Sequence, residues 1–309
     1  MRFSRPLHRI AFATGLSTWH ARNKPLRRIL MLHGVGGAEM PADGFARSVE
    51  WLARRFSIVP LGKMIDDIAA DREPGRGGEI AITFDDGLRN QFELAYPVLR
   101  RTGVPATFFV CPDLIEGRRW IWTQEARTRL QTMSPAALGA FARATGSAAA
   151  DIESLIARMK GQPIEERLHG EAILRAHTPD FAPSEAASRR FDPLSWGDLE
   201  RIDPTIVTIG SHTLSHPILP TVGDAVLQRE IVDSRRILEE RLGRTVDLFC
   251  YPNGSMDRRV HDLVARTYRA AVSTEYGFVG TTPDLHSLHR IPATTNLPLL
   301  AWRMHWPMS

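Results

Sequence analysis

Residues 78–110, GEIAITFDDGLRNQFELAYPVLRRTGVPATFFV, decide how the rest of the chain is read. The apolar run ending at Phe84 reads as a buried strand, and PATFFV, from Pro105 to Val110, reads as the next one. Between them Phe92, Tyr96 and Leu99 recur at helical spacing, with Gly103 as a stop. Strands that are apolar throughout and joined by a helix form a parallel unit. The same alternation returns in TIVTIG (205–210), a helix carrying Leu227, Ile231, Leu238 and Leu242 ahead of Gly243, and VDLFCY (246–251). A helix with Val260, Leu263 and Val264 and the strand AAVST (270–274) follow, while RRILMLHGV supplies an earlier strand ending near His33. The expectation is an α/β fold with a parallel sheet covered by helices, open or closed into a barrel, and with ligands beyond the carboxyl ends of the strands.

Residues 123–190 break this rhythm. They are rich in Ala, Arg and Glu, helical in pattern and without a strand, so they read as a helical insertion, either a surface elaboration or a substrate wall. With 309 residues, 43% of them hydrophobic, the chain can bury a large core. No apolar run approaches the roughly 18 residues of a spanning helix. Cys111 and Cys250 are too few for a disulfide framework and fit a reducing compartment. IAFATGL (10–16) is short, interrupted by Gly15 and followed by no small-residue cleavage site, so a cytoplasmic location is expected rather than secretion.

The net charge of +4 is concentrated at the start, where the first 28 residues hold Arg2, Arg5, Arg9, Arg22, Lys24, Arg27 and Arg28 and no acid. This segment suits either peripheral contact with an anionic membrane or polyanion, or a solvated tail. Nucleic acid is not an expected partner.

Polar residues collect at the strand ends. Asp85 and Asp86 precede Gly87, and taken alone they are turn chemistry. In GSHTLSH (210–216), His212 and His216 lie four apart and can reach one metal ion. Two histidines and one carboxylate leave a position open, the layout of a hydrolytic zinc site. Zinc lowers the pKa of a bound water from about 15.7 to about 7, and a second carboxylate can take the proton. In FCYPNG (249–254), Pro252 and Gly254 shape a loop that can aim a backbone N–H at an oxyanion.

Taken together, ITFDDG, SHTLSH and FCYPNG resemble the first three motifs of the polysaccharide deacetylase family, the NodB-homology or carbohydrate esterase family 4 domain. LHGV, LSWGDL (194–199), HPIL (216–219) and LHRIP (288–292) agree with it. The resemblance implies a distorted (β/α) barrel over residues 28–295 carrying the helical insertion, between a basic segment (1–27) and a tail (296–309). It implies a divalent ion, zinc before cobalt or another, and hydrolysis of N-acetyl, sometimes O-acetyl, groups on an amino-sugar glycan. Asp86, His212 and His216 match the metal ligands and Asp85 the general base, while the backbone N–H of Asn253 would hold the oxyanion.

Two positions depart from the pattern. Cys250 stands where many members have an arginine that pairs with the catalytic aspartate, and Arg290 is the candidate substitute. The general-acid histidine would be His289, with His286 second. Trp122, Trp196 and Tyr251 are candidates for the substrate wall, with Trp120 beside them. Alternative readings are a metal-dependent amidohydrolase acting on a small amide or cyclic ureide, and a carbohydrate-binding relative with impaired catalysis. A serine hydrolase, suggested by LHGVGG, lacks the G-x-S-x-G elbow it would require.

Overall fold

The computed structural model describes residues 6–148 and 150–306, so Arg2 and Arg5 of the basic segment and 307–309 of the tail lie outside the described residues. Eight strands, all parallel to their neighbours, organise the chain: β1 Arg27–Leu32, β2 Ser57–Ile58, β3 Glu79–Phe84, β4 Ala106–Val110, β5 Val207–Ser211, β6 Leu248–Cys250, β7 Ala270–Tyr276 and β8 Leu288–Pro292. Because β1 pairs with both β3 and β8, seven strands close into a barrel, and the short β2 hangs on β3. This is the expected (β/α) barrel with helices around it.

Closure explains the apolar runs. Every residue of β3 and β4 is buried, since one face lines the barrel and the other meets the helices. Ile80, Ile82 and Phe84 face the helical layer with Phe45, Val49 and Leu52. Ala81 packs inward with Phe109, Leu248, Cys250 and Val272. Continuing the inward phase of Ala81, Thr83 and Asp85 bring polar atoms to the carboxyl end of the barrel.

The expected helix after β3 exists, but it enters through a π-helical turn, Gln91–Ala95, before the regular turns of Tyr96–Thr102. Gly103 ends it at φ 64°, and Gly243 ends Ser234–Leu242 at φ 62°, both in the left-handed region that a side chain disfavours. The insertion comprises helices Trp122–Gln131, Pro135–Ala144, Ile152–Lys160, Ile164–His177 and Glu185–Phe191. The first four share a core around Leu130, Phe141, Ile156 and Leu174, which Cys111, Leu114 and Ile218 join from outside the insertion.

The two chain ends depart from the reading as tails. Residues 6–23 form helices Pro6–Ala13 and Leu16–Asn23, which pack on helix Leu297–Arg303. Ala21, Leu300 and Met304 belong to the main core. Arg28 explains why the basic segment is not free. Its guanidinium is fully buried and donates to the carbonyls of Ala21, Leu26, Gly77 and Met304, tying both ends of the chain to the barrel. Burial lowers its pKa to about 10. Among the described residues no helix is long and apolar enough to cross a membrane.

Candidate active site

The three motifs meet at the carboxyl ends of β3, β5 and β6. Asp85 keeps the inward phase of β3 and is buried against Arg290, which reaches it from β8. The guanidinium donates two parallel hydrogen bonds, Nη1 to Oδ1 and Nη2 to Oδ2, each 2.7 Å. It is itself fixed by Thr83 Oγ1 at 3.1 Å, the Ser273 carbonyl at 2.7 Å and Cys250 Sγ at 3.3 Å. Burial alone would raise the Asp85 pKa. The Arg290 charge and hydrogen bonds, helped by His212 and His33, more than reverse this and hold it well below the usual carboxylate range.

Asp86 faces elsewhere because the chain turns. Its φ of 77° lies in the left-handed region, and this bend separates two neighbours that a continuing strand would also have aimed apart but without bringing Asp86 to the histidines. Oδ1 of Asp86 lies 3.6 Å from His212 Nε2 and 3.7 Å from His216 Nε2. His212 Nδ1–H donates to the Cys250 carbonyl at 2.7 Å, which turns Nε2 toward Asp86. Burial, then the neighbouring His212, push His216 down to about 3, so its imidazole is neutral, and its Nδ1 has no hydrogen-bond partner.

Backbone strain concentrates here. Of the six non-glycine residues with positive φ among those described, Asp86, Thr213, His216 and Asn253 belong to the three motifs. Glu230 holds the second motif in place, its carboxylate accepting from Leu214 N at 2.9 Å, Ser215 N at 3.0 Å and Ser215 Oγ at 2.6 Å. Thr213 Oγ1 completes the clamp by accepting from His216 N at 3.0 Å. In the third motif Gly254 has φ 68°, and a Cβ there would come within 1.9 Å of Thr274 Oγ1.

Two sets of donors could hold a metal ion: Asp86, His212 and His216, or Asp85, His212 and Cys250. The first fits better. Both oxygens of Asp85 are engaged by Arg290, and burial pushes the Cys250 thiol up, which disfavours a thiolate ligand. In the first set a neutral imidazole, an imidazole oriented by a carbonyl and an ionised carboxylate converge.

A cleft of about 360 Å³ opens over Asp86, lined by His33, Glu39, Gln124, Arg190 and Phe191 among others. Its outer wall is the end of the insertion, pinned to the first motif by Leu194 N to Gly87 O and Arg89 N to Asp192 O, both 2.8 Å. Asn90 adds a brace, accepting from Val35 N and donating to the carbonyls of Arg189 and Arg190. His33, exposed at the end of β1, faces the two aspartates closely enough to help lower both, and the Gln91 amide holds its carbonyl.

Several expected site residues lie elsewhere. His289 precedes Arg290 on β8, so the strand's period of two turns it to the opposite face, where Nε2 pairs with Glu275 at 2.9 Å. His286 bonds the Tyr268 carbonyl, ahead of β7. Trp122 is buried in the insertion's core with the Arg167 guanidinium 4.6 Å over its ring. Tyr251 is fully buried beside Phe249 and donates its hydroxyl to the His286 carbonyl. Trp196 bonds Glu116 and lies under Arg241, between outer helices. Trp120 supports the cleft indirectly, packing 5.3 Å from the Phe191 ring and donating to Asp192. Asn253 is exposed, and its side-chain oxygen accepts from Lys160 of the insertion at 2.9 Å. Sequence reasoning did not single out Glu230, Asn90 or Phe191, or give His33 a role. Only the position of His33 just past a strand end could have signalled it.

A family profile described as polysaccharide deacetylase matches residues 72–271. A curated Bacillus subtilis (strain 168) protein, YxkH, whose polysaccharide deacetylase name is provisional, is 20% identical over 281 residues, covering 89% of this chain and 74% of the relative. Among solved structures, Streptococcus pyogenes deacetylase PplD in complex with acetate has a TM-score of 0.62 at 18% identity, covering 92% of this chain and all of that one. IcaB from Ammonifex degensii has a TM-score of 0.58 at 16% identity, covering 91% of this chain and 98% of that one. At these identities the solved structures speak for the fold.

Proposed function

Since the chain belongs to the polysaccharide deacetylase family and is thus a deacetylating hydrolase, we propose that it removes N-acetyl groups from an amino-sugar glycan with the help of a divalent ion. One observation carries this reading: two histidine Nε2 atoms converge on Asp86 Oδ1 while the adjacent Asp85 is reserved by Arg290. Asp86, His212 and His216 would hold the ion, zinc being the best match to nitrogen and oxygen donors with a position left open. When bound, it supplies Lewis-acid polarisation of the acetyl carbonyl.

The chain's own residues do the rest. Asp85 stays ionised and takes the proton of the attacking water. Each of its oxygens has a second lone pair beyond the one given to Arg290. The backbone N–H of Asn253 faces the developing oxyanion. As the C–N bond breaks, His33 delivers a proton to the departing amine, leaving acetate and a free amino sugar. His33 takes this part in place of His289 because it lies on the cleft beside Asp86, whereas His289 faces away. The Phe191 ring, backed by Trp120, offers an apolar face to a pyranose.

Acetate release from acetylated amino-sugar oligomers, measured with metal content in the same preparation, tests the reading. Activity confined to small amides or cyclic ureides would overturn the glycan substrate. Full activity in metal-free protein would overturn the ion. His33→Gln should slow amide hydrolysis at least about 100-fold. It should slow an activated aryl acetate far less, because that leaving group departs without a proton.

A further inference from the structure

The amino ends of the strands carry a second cleft, larger than the one over Asp86. It encloses about 740 Å³ between the helix Leu16–Asn23, the end of the helix Ala42–Ala53 and the turn before β3. Phe12, Trp51 and Phe56 give it aromatic walls, with Trp51 6.0 Å from Phe12 and 5.6 Å from Phe56. Arg22, Arg55 and Arg76 line it, and no Asp or Glu does. Arg55 lies over the Trp51 ring at 5.3 Å and Arg76 bonds Asn23 Oδ1 at 3.2 Å. None of the three has a carboxylate partner among the described residues, although most other arginines of this chain do.

The same end is apolar at its surface. Seven large apolar side chains are exposed among the described residues, and five of them, Leu7, Ile10, Leu16, Trp19 and Trp306, lie on the two N-terminal helices or just after the C-terminal helix that packs on them. Ile10 is 60% and Trp19 59% exposed. Arg9 and Lys24 add charge, and the first acid in the sequence is Glu39. Exposed apolar anchors around unpaired cations match the two layers of an anionic bilayer surface, acyl boundary and phosphate.

We propose that this end docks on a membrane containing anionic phospholipid, whose phosphate Arg22, Arg55 and Arg76 receive while Ile10, Leu16 and Trp19 enter the headgroup layer. The fold fixes the orientation that results. Asp85 lies past the other end of β3, a six-residue strand about 20 Å long, so the active site faces away from the bilayer.

Co-sedimentation of the full chain with vesicles tests this. Binding to phosphatidylcholine mixed with phosphatidylglycerol is expected, weakening steeply as salt is raised, with none to phosphatidylcholine alone. Replacing two arginines, Arg55→Ala with Arg76→Ala, should weaken it roughly 30-fold. Trp19→Ala should weaken it while leaving the charge intact. Thermal melting checks that the variants fold, and Arg22→Ala on the exposed helix serves if the double variant does not. Hydrolysis of soluble substrate should be unchanged in all of them. No binding to mixed vesicles, equal binding to neutral ones, full binding by the folded arginine variants, or capture of inorganic phosphate or soluble polyanion without vesicles would each overturn the proposal. None of these outcomes depends on deacetylase activity.

Discussion

At the carboxyl ends of the strands Asp85 and Arg290 are buried and joined by two hydrogen bonds, whereas at the amino ends Arg22, Arg55 and Arg76 stand exposed with no carboxylate among the described residues to meet them. Both ends hold arginines, yet the first spends its cation inside the protein and the second offers cations to whatever approaches. A buried charge demands a partner, since leaving it alone costs several kcal/mol. An exposed one costs little and remains available. The contrast separates chemistry held in place from recognition held open.

The largest effect should come from breaking the paired end. Asp85→Asn should lower turnover about 10² to 10⁴-fold with bound metal retained, whereas His212→Ala should remove metal and activity together. If Asp85→Asn lost the metal instead, the two aspartates would exchange roles. Arg290→Met should destabilise the fold by about 3–5 kcal/mol in denaturant unfolding, because Asp85 is left charged and alone. Adding Asp85→Asn to that variant should recover part of the loss. A double variant no more stable than the single one would show that Arg290 acts through packing instead.

Smaller effects sharpen the contrast. Glu230→Gln keeps the shape of the clamp on Leu214 and Ser215 but turns one of its two accepting oxygens into a donor amide and removes the charge, and should cost about 1–3 kcal/mol. It should loosen metal binding about 10- to 100-fold, read by competition with a chelator. The smallest effect belongs to the amino end. His305, beside His20, Lys24 and Arg28, has its pKa lowered by burial first and by those charges after it. The folded chain therefore binds fewer protons than the unfolded one as pH falls through the ordinary histidine range near 6.5, and stability falls with it. His305→Gln should flatten that slope between pH 7 and pH 5.

Much of this was legible in the sequence because it is local. Strands buried on both faces read as continuous apolar runs, and glycines at the helix ends marked Gly103 and Gly243 correctly. The approach of His212 and His216 to Asp86 was equally open to view, since i, i+4 spacing and a strand end are short-range facts. What stayed hidden depends on distant pairing. β1 meets β8 only when the barrel closes, and Glu230 looks like any acid on an amphipathic helix until its loop is seen beside it.

That His289 turns away from Asp85 was legible in principle. Two consecutive residues of one strand cannot both turn toward the same carboxylate, so assigning Arg290 to Asp85 already turned His289 outward. Asp85 and Asp86 escape that rule because the strand has ended between them, and the φ of 77° at Asp86 sets a new direction. Trp122 carried no such warning. An aromatic beside an insertion is as well suited to a core as to a wall, and here the core took it.

Cys250 has one further consequence. At the place where a relative would be expected to show arginine it presents a thiol, yet a guanidinium still arrives at Asp85, sent from β8 and touching the Cys250 sulfur on the way. The requirement is a destination rather than an address: positive charge must reach one point in space, and a closed barrel offers several strands from which to send it. Comparison column by column would score this centre as broken, whereas a search for a bidentate cation around the buried carboxylate of Asp85, blind to sequence position, would find it whole. Relatives set aside as inactive for lacking the motif arginine merit the same inspection, strand by strand around the ring.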